Sequence, residues 1–215
     1  MKITENVYQI DSAKQSNCYI IMNEVVILID TGLPVFGKGI LKELDQLNIK
    51  DKLDYILLTH HDMDHIGNLT LIEKETQGHI FASKEDIPYI TNSKKREGFK
   101  KIMAAIIRHK SPKNIKSFPE NNILNNIQII KTPGHTPGHV CLLYKDVLFI
   151  GDLFETKNDT VKETSSFWNR DSEMNKKSIE KILEYKFNWI CPGHGNPIKV
   201  NNKVLDEIWS LTKYK

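Results

Sequence analysis

Five side chains able to donate to a cation crowd into "THHDMDH": His60, His61, Asp62, Asp64 and His65. Imidazole nitrogens and carboxylate oxygens are the ligands that divalent zinc, manganese and iron accept, so the run offers the chemistry of a metal site. It follows the apolar stretch "YILL" and precedes "IGNLTLIEKE", a helix by its pattern. Residues two apart in extended chain point the same way. His60 and Asp62 can therefore converge on one point, while Asp64 and His65, in the following turn, face another. Taken alone, the run is equally well explained as a solvated turn rich in His and Asp.

Three further stretches shift that balance. "TPGHTPGH" (Thr132 to His139) places two histidines in a Gly/Pro-rich loop after an apolar run, "FIGD" ends a run on Asp152, and "CPGHG" ends the last one on His194. In each case the polar residues follow directly on an apolar strand pattern. Strand ends are where α/β sheets assemble their sites.

The elements that must position these loops are legible as short apolar runs: "VYQI", "NCYIIM", "VVILID", "DYILLT", "HIFAS", "IQIIK", "HVCLLY", "VLFIGD" and "WICPG". They read as strands, several buried on both faces. "MNEV" and "YKDV" mark tight turns. "GKGILKELDQLNI" and "NKKSIEKILEY" have helical spacing, with Ile40, Leu41, Leu44 and Leu47 in the first and Ile179, Ile182 and Leu183 in the second. The mixture predicts a layered α/β protein. The length of 215 residues suits one domain over 1–215. A cap is expected as an insertion at about 84–120, where "NSKKREGFKK" and the apolar patch Ile102 to Ile107 lie between strands.

Composition bounds the class. With 40% hydrophobic and 27% charged residues and no long apolar run, the chain is expected to be soluble, without a secretion signal and without a membrane partner. Three widely spaced cysteines, Cys18, Cys141 and Cys191, argue against a disulfide framework and for the cytoplasm. Cys18 and Cys141 alternate with apolar residues as core positions do, and Cys191 lacks a dedicated base. The net charge of +3 is uneven: Lys84 to Lys116 holds ten basic residues against three acids, so that segment carries +7 and the remainder −4.

In the order of its loops, the sequence resembles the metallo-beta-lactamase superfamily. That pattern is His-x-His-x-Asp-His, then a His, an Asp and a last His, with an early "LIDTG"; "TPGHTPGH" and "PGHG" look like its glyoxalase II and related small-hydrolase branches. The resemblance implies a four-layer αββα sandwich holding two divalent metals, usually zinc. It assigns His60 and His135 to the first metal, Asp64, His65 and His194 to the second, and Asp152 to both. Asp30 would orient ligands from behind, and His139 would support the loop. One position departs from the pattern: Asp62 stands where the second His is usual, and His61 is one step out of register and should point away, so that its replacement leaves most activity. A third carboxylate brings the formal charge of two divalent cations and one hydroxide from +1 to zero. It favours a harder metal such as manganese or iron alongside zinc.

The function so implied is a metal-dependent hydrolase in which metal-bound hydroxide attacks a small ester, thioester or lactone, with Asp64 relaying a proton. The chain ends soon after "PGHG", which argues against a glutathione thioester in particular. Two alternatives stand beside this reading. A phosphodiesterase or ribonuclease would use the basic insertion against phosphates, although that segment is poor in aromatics and nucleic acid is the less favoured partner. A diiron redox protein would suit Asp62 but lacks a flavin domain. The patch Ile102 to Ile107 is expected to cover the metal cleft or to form a homodimer contact.

Overall fold

In the N-terminal half, apolar residues run without a break through β2 (Tyr19–Met22) and β3 (Val26–Ile29), and β3 is buried along its whole length. Such strands need cover on both faces. The computed structural model describes residues 1–96 and 110–213, which fall into two compact units, Met1–Ser117 and Phe118–Lys215.

Among the described residues the first unit forms a six-stranded sheet in sequence order: β1 (Val7–Gln9), β2, β3, β4 (Leu53–Leu57), β5 (His79–Ala82) and β6 (Ile115–Ser117). β1, β2 and β3 pair antiparallel, and β3 to β6 pair parallel. The parallel part is joined by helical crossovers: α1 (Gly37–Gln46), then α2 (Met63–Ile66) with α3 (Leu69–Glu75), then α4 (Ile87–Ile90). Ile40 and Leu44 of α1, Ile66 of α2 and Leu69 and Ile72 of α3 bury into one core with Leu28 and Ile56. The helix expected over "IGNLTLIEKE" is therefore two pieces. The break follows from packing: a Cβ on Gly67 would collide with Pro34, so only glycine lets the turn lie against the loop after β3.

The second unit holds β7 (Ile123–Leu124), β8 (Ile127–Lys131), β9 (Val140–Tyr144), β10 (Val147–Gly151), β13 (Trp189–Pro192) and β14 (Ile198–Lys199), in the spatial order β14-β13-β10-β9-β8-β7. β10 and β13 are parallel and the other pairs antiparallel. A separate hairpin, β11 (Glu155–Lys157) with β12 (Thr160–Lys162), follows β10. Two amphipathic helices complete the unit: α5 (Ser172–Ile182), capped by the Asp171 carboxylate on Met174 N, and α6 (Asn202–Thr212), capped by Asn201 on Val204 N. Ile179, Ile182, Val204 and Ile208 bury with Phe154, Leu148 and Ile190.

The mixed α/β class expected from the sequence is thus present in both units. Much of the expected cap, including Ile102 to Ile107 and His109, lies outside the described residues. No helix among the described residues is long and apolar enough to cross a membrane.

Candidate metal centre

β3 and β4 are parallel neighbours with Ile29 opposite Leu57, so the residues just past their ends, Asp30 and Thr59, meet. Thr59 N donates to Asp30 Oδ1 (2.9 Å) and Thr59 Oγ1 donates to Asp30 Oδ2 (2.7 Å). His65 Nδ1 lies 2.8 Å from that same Oδ2, and His60 Nδ1 lies 3.0 Å from Thr59 Oγ1. Because the Thr59 hydroxyl proton goes to Asp30, its oxygen accepts from His60 Nδ1. One buried carboxylate therefore fixes two imidazoles, His65 directly and His60 through Thr59. Asp30 occupies the left-handed region at φ 58°, a conformation Asp tolerates better than most residues.

With both Nδ1 positions satisfied, each ring turns Nε2 toward the carboxylates of its own loop. His60 Nε2 is 3.7 Å from Asp62 Oδ2, and His65 Nε2 is 3.9 Å from Asp64 Oδ2. The two rings lie 4.1 Å apart between centroids. Asp64 and His65 sit in α2 rather than in an open turn, and His65 O is gripped by Thr31 N (2.7 Å) and Thr31 Oγ1 (2.9 Å).

The second unit repeats the device. β10 and β13 are its parallel pair, and Asp152 and His194 follow their ends, with Gly193 N donating to Gly151 O (2.7 Å). Asp152 Oδ2 is 3.3 Å from His194 Nε2 and 3.6 Å from His135 Nε2, so one oxygen faces two imidazoles. His135 Nδ1 lies 3.0 Å from Asn169 Oδ1. His139 is not turned toward Asp152's carboxylate: its Nε2 accepts from Asp152 N (3.1 Å), and its Nδ1 lies 3.1 Å from Thr132 O and 2.9 Å from Thr132 Oγ1. It ties the "TPGHTPGH" loop to the strand end that carries Asp152. At the last loop, Gly195 has φ +98° and a Cβ there would collide with Thr156 O, which keeps the hairpin backbone against His194.

These separations test whether the residues suit a metal. Hydrogen-bonded N and O atoms stand about 2.7–3.2 Å apart. Two donors on one tetrahedral ion, with bonds of about 2.0–2.2 Å, stand about 3.4 Å apart. The four donor pairs span 3.3 to 3.9 Å, and most of their side chains are buried, which fits ligation better than pairing.

Sequence reasoning missed Thr59 and Asn169, which contact the candidate ligands His60 and His135, and Asp86 and Arg96, which surround His61. His61 does turn elsewhere: its ring stacks on Tyr89 at 4.4 Å and its Nδ1 is 3.0 Å from Asp86 Oδ2. It is 3% exposed and packed within the unit. The three cysteines are free and buried. Burial holds the thiols of Cys18 and Cys191 far above the ordinary value and lifts Cys141 to about 12, so none supplies a thiolate near neutrality.

Comparison with known proteins is consistent with this arrangement. The model of the metallo-beta-lactamase superfamily matches residues 11–194. The chain is 28% identical over 169 residues to a probable metallo-hydrolase of Methanocaldococcus jannaschii, covering 78% of this chain and 70% of that one. It is 32% identical over 121 residues to a hydroxyacylglutathione hydrolase of Shewanella halifaxensis, covering 55% and 40%. A metallo-beta-lactamase family protein of Thermus thermophilus shares the fold with a TM-score of 0.76 at 19% identity, over 98% of this chain and 79% of that one. The chain belongs to the metallo-beta-lactamase superfamily.

Proposed function

We propose that this protein is a metal-dependent hydrolase of small esters, thioesters or lactones, working in a reducing cytoplasm. The carrying observation is that each unit ends a parallel strand pair in largely buried imidazoles and carboxylates spaced for a shared cation, 3.7 and 3.9 Å in one and 3.3 and 3.6 Å in the other. In the first unit His60, Asp62, Asp64 and His65 would donate to metal, and in the second His135, Asp152 and His194 would. Zinc suits the imidazoles, and Asp62 widens the choice to manganese or iron.

Bound divalent cations supply Lewis acidity, which polarises a carbonyl and makes water acidic near neutral pH. The chain's own residues do the rest. Asp30 and Thr59 keep His65 and His60 in one tautomer and orientation, and His139 pins the backbone of Asp152. Asp64, whose side chain is 29% exposed, is the carboxylate best placed to take the proton of the attacking water and return it to the leaving alcohol or thiol as the C–O or C–S bond breaks. No Ser or Cys nucleophile is required, in keeping with the inert thiols.

The substrate's acyl part is read from Phe167 and Trp168. They are 63% and 39% exposed, pack edge to face at 5.4 Å, and directly precede the Asn169 that bonds His135. Such a pair would hold an apolar acyl group beside the centre. The relative named a hydroxyacylglutathione hydrolase supports the thioester class. The test is a panel of ester, thioester, lactone and phosphodiester substrates with zinc, manganese and iron. Turnover of acyl substrates is expected, and turnover confined to phosphodiesters would overturn the reading.

A further inference from the structure

Between the candidate donors His60 and Asp62 stands His61, whose side chain turns elsewhere but whose backbone is gripped at both of its polar groups. Asp86 Oδ2 accepts from His61 N at 3.0 Å, and Arg96 Nη2 donates to His61 O at 2.6 Å. Both charged side chains are interior, Asp86 being 0% and Arg96 6% exposed. The same Asp86 oxygen lies 3.0 Å from His61 Nδ1, and the His61 ring stacks on Tyr89 with 4.4 Å between centroids and 13° between planes. All of these residues belong to the N-terminal unit.

A peptide group is planar, so whatever fixes its N–H or its C=O constrains the Cα atoms at both of its ends. His61 N belongs to the peptide shared with His60, and His61 O to the peptide shared with Asp62. Asp86 therefore constrains one candidate donor and Arg96 the other. Asp62 is held on its far side as well, because its O accepts from His65 N (2.9 Å) and Ile66 N (3.0 Å) at the start of α2. Between these holds His60 Nε2 and Asp62 Oδ2 stand 3.7 Å apart. The grip is built on a firm element: Asp86 N donates to Ser83 O (3.1 Å), Asp86 O accepts from Tyr89 N (3.0 Å) and Ile90 N (3.1 Å), and Ile90 is buried in the core of the unit. Burying a carboxylate and a guanidinium is costly, and neutral side chains could fill the same space. What the charged groups add is stronger, more directional hydrogen bonds to the loop backbone.

We propose that Asp86 and Arg96 are positioning residues of the candidate metal site, gripping the backbone of His61 so that the donors on either side of it, His60 and Asp62, face one point. They act on the loop and touch neither metal nor substrate. The proposal rests on the reading of His60 and Asp62 as metal ligands.

The test is the zinc affinity of the full chain, by competition with a chromophoric chelator, together with the thermal midpoint after metal is stripped. Asp86→Ala and Arg96→Met are each expected to weaken zinc binding about 10-fold or more. Asp86→Asn keeps an oxygen that can accept from His61 N, and Arg96→Lys keeps a donor, so each should recover much of that loss. His61→Ala removes the ring but keeps both gripped backbone groups. It should lower the midpoint by several degrees yet bind zinc within about threefold of wild type. Wild-type zinc affinity in Asp86→Ala and Arg96→Met, or a loss no greater than that of His61→Ala, would overturn the proposal. Should Asp86→Ala fail to fold, Arg96→Met set against Arg96→Lys decides it. His60→Ala and Asp62→Ala in the same titration separate the two readings. Loss of zinc in these with none in the Asp86 and Arg96 variants refutes the grip alone, whereas wild-type affinity in both refutes ligation and the grip with it.

Discussion

Asp30 Oδ2 stands 2.8 Å from His65 Nδ1, and the Thr59 hydroxyl bonded to that same oxygen carries its influence on to His60. A residue at the end of one strand thereby orients two candidate ligands on the loop after the next. Asp30→Asn removes the charge that holds His65. Metal affinity, measured by competition with a chromophoric chelator, is expected to fall about 10- to 100-fold with circular dichroism unchanged. Thr59→Val, which cuts only the branch to His60, should cost less.

His139 is expected to behave as a support, unlike His135. His139→Ala leaves Asp152 N without its acceptor in the interior, a loss of about 1–3 kcal/mol. The thermal midpoint should drop by several degrees while metal content per chain stays near that of wild type. His135→Ala should do the reverse, lowering metal content with little change in midpoint.

How far these roles could be seen in the sequence depends on what carries them. The candidate donors were visible because His60, Asp64, His65, His135, Asp152 and His194 stand in short motifs directly after apolar runs. Most strands and α1 were visible for the same reason, periodic burial. The supports were not. Asn169 is 34 residues from His135, and Arg96 is 35 from the His61 carbonyl it bonds, in stretches with no periodicity to place them. α6 was not read from "NNKVLDEIWSLTKYK", although Val204, Ile208 and Leu211 have helical spacing and pack on the core. The register of His61 could be read from the sequence, but its contacts with Tyr89 and Asp86 need the folded crossover. His61→Ala should consequently lower the thermal midpoint, whatever its effect on activity.

Thiol chemistry checks the burial of the cysteines. In the native chain all three should resist iodoacetamide at pH 8 and react only on unfolding. The sign of the pH effect follows from the raised values. Stability due to the buried thiols is full below the unfolded value near 9.0 and declines as pH rises toward about 12, where Cys141 ionises in the folded chain. Unfolding midpoints in urea between pH 8 and 11 should show this decline, and Cys141→Ala should flatten part of it.

Phe167→Ala and Trp168→Ala should alter selectivity more than chemistry. Across a series of acyl substrates of increasing chain length, kcat/KM of wild type is expected to rise with apolar surface, and each variant should lose about 10-fold on the long substrates while keeping the short ones. A uniform loss across the series would assign the aromatic pair to packing.

The central claim is that the His and Asp side chains at the strand ends of this chain are metal ligands. Metal content per chain by inductively coupled plasma mass spectrometry, after reconstitution with zinc and removal of excess, tests it most directly. The account predicts two ions in the wild type and a loss of metal in both His65→Ala and His194→Ala, each still folded by circular dichroism. Wild-type metal content in both variants would contradict it.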